Sequence, residues 1–224
     1  MTNGTAEDNP PQWASTMWFA VYATQCIAIF TINGVALLAF ARNRHLRKRT
    51  TYLIINLTVA DLLVGAVTEP MDLYYPQYDP RFSWQDYVIS ILYNMFPVSS
   101  LNNLSLIASE RLHATLCPFK HSLIENGFYF KTIFCSWLLT LLLSSVMSVS
   151  ELYESLLTAN ICVSASLIIL TLLILIISYV IIIVNVRSNP LPQLFGSLSS
   201  DRKLSVTLFM VTIASVLSIL PYAV

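Results

Sequence analysis

A carboxylate at bilayer depth is expensive to keep and therefore informative. Asp61 is one, enclosed by the apolar stretch Leu57–Val67. Facing inward, such a group suits an ion or proton site; held neutral by neighbouring helices, it is a packing element only. A second pattern runs from Tyr93 to Arg111. These residues are 18 apart, which is five helical turns, and lie on one face about 27 Å from each other. Ser100, Asn103, Ile107 and Arg111 continue that face at three- and four-residue steps, with Asn94 and Asn102 beside it. Asn and Ser as interhelical glue account for the packing of this stripe. They do not account for the Glu110-Arg111 pair at its inner end.

The elements that must carry these residues can be read from composition. Of 224 residues, 56% are hydrophobic and 11% charged, against about 45–50% and about 25% in soluble domains. Mean hydropathy is +0.67. A soluble core of this size cannot hide so much apolar surface, whereas a bilayer can. About 20 mostly apolar residues cross a hydrocarbon core, and six stretches qualify: Met17–Ala41, Thr51–Tyr75, Tyr87–Leu116, Phe130–Ser150, Leu156–Val186 and Lys203–Val224. The expected organisation is an extracellular tail, residues 1–16, and a transmembrane bundle, residues 17–224. The third stretch carries too many polar groups to face lipid and must be surrounded by protein.

Charge sets the orientation. Met1–Gln12 holds Glu7 and Asp8 but no Lys or Arg, while Arg42, Arg44, Arg47, Lys48 and Arg49 follow the first stretch. By the positive-inside rule the N-terminus is outside. Alternating sides then place eleven of the 12 Lys and Arg inside and Arg81 alone outside. Glu7, Asp8, Glu69, Asp72, Asp79, Asp86, Glu151 and Glu154 all fall outside. Asn3-Gly4-Thr5 is then a glycosylation acceptor on the correct side. Net charge is zero, so no basic field argues for nucleic acid. No Walker or Rossmann loop, metalloprotease helix or serine-hydrolase elbow is found, which discourages an enzyme reading and implies no cofactor. Cys26 and Cys135 lie within spans, Cys117 faces the cytosol, and Cys162 has no second outer Cys to pair with, so no disulfide framework is expected.

From Thr31 to Val224 the chain resembles the rhodopsin-type (class A) G protein-coupled receptors. Asn33 is similar to the first-helix Asn, and Asn56-Leu57-Thr58-Val59-Ala60-Asp61-Leu62 to the NLAVADL pattern of the second helix. Ser109-Glu110-Arg111-Leu112, with Pro118 seven residues after the Arg, resembles the DRY motif and its loop. Trp137 matches the fourth-helix Trp, Tyr179 the fifth-helix Tyr, and Leu220-Pro221 the end of CWxP. There are departures: Leu112 replaces the DRY Tyr, Ile219 the toggle Trp, Thr171 the fifth-helix Pro, and Asp86 the third-helix Cys. With a second outer loop of only about Glu151–Ser155, these departures resemble the melanocortin branch and its lipid and adenosine relatives. Tyr93 stands where aminergic receptors carry Asp, which argues against a monoamine. The chain ends three residues after Pro221, before a seventh helix and its NPxxY motif, so the expectation is a C-terminally truncated form, with a six-helix product as the alternative.

The resemblance implies an all-α class A helix bundle, with six of the seven transmembrane helices, in the plasma membrane. Its partners would be an extracellular ligand, a heterotrimeric G protein and membrane lipid. Asp61, Ser100 and Asn33 would line a sodium pocket, since a hard cation takes oxygen ligands. The outer cavity is expected around Tyr93, Asn94 and Pro97, beneath an acidic rim of Glu69, Asp72 and Asp86 that favours a cationic ligand. Arg111 would be the switch, paired with Glu110 and with Asp201. Asp201 lies 20 residues before Pro221, about 30 Å along a helix, at the cytoplasmic edge. Once released, Arg111 would turn toward Tyr179. A transporter or channel fragment with an intramembrane ion site, or a membrane scaffold that signals nothing, are the alternatives.

Overall fold

The computed structural model describes residues 12–43, 51–74, 84–151 and 157–188, with helices and no strand among them. The expected sixth span, together with Asn3, Asp201 and Pro221, lies outside the described residues. Helix α1 is Gln12–Arg42, beginning before Met17, where the span was expected to start. The second span is α2 (Thr51–Leu63), a π-helical turn (Val64–Thr68) and α3 (Glu69–Tyr74). The third is α4, Trp84–Leu116, followed by the short α5, Pro118–Ser122. The fourth and fifth are α6, Asn126–Glu151, and α7, Leu157–Ser188.

The π turn has a local cause. Pro70 offers no N–H to the carbonyl of Ala66, and its ring crowds that carbonyl. The ladder widens instead, and the Glu69 amide bonds to Val64 O, five residues back. Proline acts differently at two other places. Pro97 lies inside α4 and cannot donate to Tyr93, yet the helix continues. Pro118 opens α5 at its first turn, where a missing N–H costs nothing.

Among the described residues, four segments are long and apolar enough to cross a membrane: Phe19–Arg42, Thr51–Met71, Asn126–Ser150 and Thr158–Asn185. The more polar α4 is the hub, packed against α2, α6 and α7. Apolar contact at its inner half comes from Leu53, Leu57, Leu104, Ile107 and Tyr129, and separately from Ala108, Leu175 and Tyr179. Polarity points inward. Ser90, Ser99, Ser100 and Asn103 of α4 are buried, as are Ser136, Thr140, Ser144 and Ser148 at four-residue steps on α6. Such small residues let helices approach closely where lipid removes any hydrophobic drive between them. Large apolar side chains such as Phe30, Phe134, Leu142 and Ile183 lie on the outside. In water this surface would aggregate; in a bilayer it is solvated.

Candidate functional site

The bundle presents three polar layers along α4. In the outer layer, Tyr93, Asn94, Pro97, Val98 and Leu101 of α4 enclose a cavity of about 210 Å³ with Thr68, Met147 and the α7 residues Asn160, Ile161, Ser164 and Ile168. Pockets that engulf a drug-sized ligand run to roughly 300–1,000 Å³. This one suits a small ligand or one part of a larger one. The three residues expected to begin the cavity all line it. The expected acidic rim does not hold together. Asp86 is half-buried in the first turn of α4 and does not line the cavity, and Asp72 falls on α3 with its side chain outside what is described. Glu69 is fully buried, and Gln25 Nε2 of α1 donates to its Oε1 at 3.0 Å. It therefore sits between the first and second spans and is no part of a solvated mouth. The widened turn before it explains the error: one residue more per turn rotates the remainder of the span by about 100°.

In the middle layer, Ser100 Oγ donates to Asp61 Oδ1 at 2.5 Å, and both residues are buried. Asn33 makes no hydrogen bond to either; its Nδ2 donates to Ile29 O on its own helix at 3.0 Å, which leaves its Oδ1 uncommitted. Two oxygen-bearing side chains thus converge, with Asn33 expected only as an outer partner. Beside them lies a network the sequence only partly announced. Asn56 Nδ2 donates to Asn103 Oδ1 at 2.7 Å, and Trp137 Nε1 donates to Asn56 Oδ1 at 2.9 Å. Asn102 Nδ2 donates to Ser136 Oγ at 2.8 Å. These bonds tie α2, α4 and α6 together, and they give Asn56 and Trp137 a physical task.

At the inner layer Glu110 is shared. Its Oε2 lies 3.4 Å from Arg111 Nε, and its Oε1 lies 2.8 Å from His121 Nε2. A carboxylate only accepts, so His121 Nε2 carries the proton of that bond. Tyr129 OH donates to the same Oε1 at 3.3 Å. Arg111 is only 11% exposed, and its Nη2 has no hydrogen-bond partner among the described residues. Tyr179 packs on Ala108, three residues before Arg111, so α7 meets α4 beside the guanidinium. Pro118 is exposed and starts the helix that carries His121. His121 and Tyr129 were not anticipated. The spacing of Pro118 and His121 was the available signal: a proline-initiated turn brings a residue three further on back over α4.

The four cysteines are free thiols. Among the described residues no group of three His, Cys, Asp or Glu is placed to hold a metal ion.

Comparison with known proteins agrees with this arrangement. Residues 32–224 match the 7 transmembrane receptor (rhodopsin family). The chain is 23% identical to the dog substance-K receptor over 99% of its own length and 64% of that receptor's. It is 24% identical to the human substance-K receptor over 53% of this chain and 30% of the receptor. Over 52% of the chain it is 32% identical to the Xenopus laevis D(2) dopamine receptor A, covering 26% of that protein. The chain therefore spans less than two thirds of the length of these relatives. They lend no support to the melanocortin, lipid or adenosine branch suggested by the short second outer loop. With a match that begins within the first span and covers residues 32–224, the chain belongs to the rhodopsin family of 7 transmembrane receptors.

Proposed function

We infer that the chain serves as a cell-surface receptor that binds an extracellular ligand and activates a heterotrimeric G protein. The observation that carries this reading is that one helix, α4, holds a cavity at its outer end and the Glu110–Arg111 pair at its inner end. Ligand binding shifts the receptor only by its differential affinity for two states, and α4 is the element that both ends share. The names of the relatives supply the first probes, substance K and dopamine, and Tyr93 disfavours the second, a monoamine. In membranes that contain the full chain, one of them should stimulate nucleotide exchange on a heterotrimeric G protein. Substrate flux without any exchange would refute the receptor reading.

The receptor reading extends to the membrane and its ions. The plasma membrane holds the chain with its N-terminus outside, as the distribution of Lys and Arg supports, and Asn3 is then open to glycosylation. Asp86 remains the acid that would attract a cationic ligand, and its neutralisation should weaken the potency of such a ligand. Asp61 and Ser100 are suited to a sodium ion by their oxygens, with Asn33 at most an outer partner. Agonist affinity should then fall as sodium rises, and Asp61→Asn should remove that dependence. Affinity indifferent to sodium would dismiss the ion.

A further inference from the structure

Where the end of α6 meets the start of α4, Tyr87, Leu142, Ser145, Val146, Val149 and Ser150 line a groove of about 370 Å³. It shares no lining residue with the outer cavity. Leu142 and Val146 are 66% and 67% exposed, and both lie within the apolar segment Asn126–Ser150. In a bilayer the groove therefore faces lipid. It also sits at one membrane surface. Ser150 ends the apolar segment, and the rings of Trp84 and Tyr87 lie 5.5 Å apart, with Trp84 72% exposed. Such amphipathic rings mark the headgroup level. Leu142 lies eight residues before Ser150, about 12 Å deeper along a helix, against a hydrocarbon core of about 30 Å. An occupant comes from a single leaflet.

The chemistry of that occupant follows from where the serine protons already go. Ser145 Oγ donates to Leu141 O at 2.8 Å, and Ser150 Oγ donates to Met147 O at 2.6 Å. A serine has one proton to give and two lone pairs, so both hydroxyls remain as acceptors only. The other α6 residues of the groove are Leu142, Val146 and Val149. An apolar body with one O–H donor complements this surface. A phosphatidylcholine has no donor, and its flexible chains lose more freedom on binding than a fused-ring body does. Val146 and Val149 are stiff at χ1 and offer such a body a fixed wall. We propose that this groove binds a membrane sterol. Its rings lie along Leu142, Val146 and Val149, and its hydroxyl donates to Ser150 Oγ at the membrane surface.

The test uses phosphatidylcholine vesicles that hold the full chain and a photoreactive diazirine sterol, with labelled peptides mapped after illumination. Labelling should concentrate on Tyr87 and residues 142–150, and unlabelled cholesterol should displace it. Cholest-4-en-3-one carries a ketone in place of the hydroxyl. It should displace the probe about fivefold less well, the effect of one lost hydrogen bond. Val146→Trp fills the groove from a lipid-facing position and should abolish the labelling. Ile176→Trp, at a position 53% exposed on α7, should leave it unchanged. Ser150→Ala should reduce cholesterol to the level of the ketone, and it serves where Val146→Trp fails to fold. Labelling spread evenly over the apolar helix faces would overturn the proposal, as would equal displacement by the two competitors. So would labelling that survives in folded Val146→Trp, or cholesterol displacement undiminished by Ser150→Ala.

Discussion

Asn56 bears more of the bundle than its small side chain suggests, because it links three helices through Asn103 and Trp137. Interhelical hydrogen bonds within membranes contribute about 0.6–2 kcal/mol each. Asn56→Leu, which loses two, should lower stability by about 1–4 kcal/mol, read as a fall in the thermal midpoint of the purified protein. Trp137→Phe, which loses one, should fall between. Asp61 is legible in the sequence because a polar group in an apolar run announces itself, Glu110 and Arg111 because a charged pair ends the polar stripe, and Asn56 through the family resemblance. Glu69 misleads for the opposite reason. Near an expected loop, an acid looks like a solvated one, and only the turn made by Pro70 carries it inward. His121 gives no such signal, because it sits on the short helix α5 outside any apolar run, and its partner Glu110 lies 11 residues earlier on another helix.

Among the elements, the join between α1 and the second span depends on one glycine. A Cβ at Gly65 would lie 3.0 Å from the Phe30 backbone nitrogen and 3.0 Å from Ile29 Cγ2, whereas one at Gly34 would meet nothing closer than Leu62 Cδ1 at 3.9 Å. Backbone cannot yield as a side chain tip can. Gly65→Ala should therefore cost about 1–3 kcal/mol as an overpacking change, and Gly34→Ala should be near neutral. Thermal midpoints of the two variants compare them directly, and equal midpoints would show that α1 shifts freely. The spans themselves are readable from apolar length, and the burial of α4 from its polarity. The stripe Ser136, Thr140, Ser144 and Ser148 is harder to see. In a strongly apolar helix, small hydroxyls disappear into the average, although their spacing of four marks the inward face.

At the scale of the molecule, the proposed resting state rests on the end of α4 that carries Glu110 and Arg111. Glu110 divides its two oxygens between Arg111 and His121, and Arg111 retains a guanidinium nitrogen for a further acid. Asp201 is our choice for that acid, from its distance to Pro221. A partly exposed pair contributes only about 0–1 kcal/mol. Asp201→Ala should thus raise ligand-independent nucleotide exchange up to about fivefold without locking the receptor on; unchanged basal exchange would exclude Asp201 as the partner.

The central claim is that α4 connects a ligand cavity to a G protein switch at Arg111. The most direct measurement compares the chain and its Arg111→Ala variant in the same membranes, following both ligand binding and ligand-stimulated nucleotide exchange. The account predicts that Arg111→Ala binds ligand as before and loses stimulated exchange. Normal exchange in that variant would contradict it.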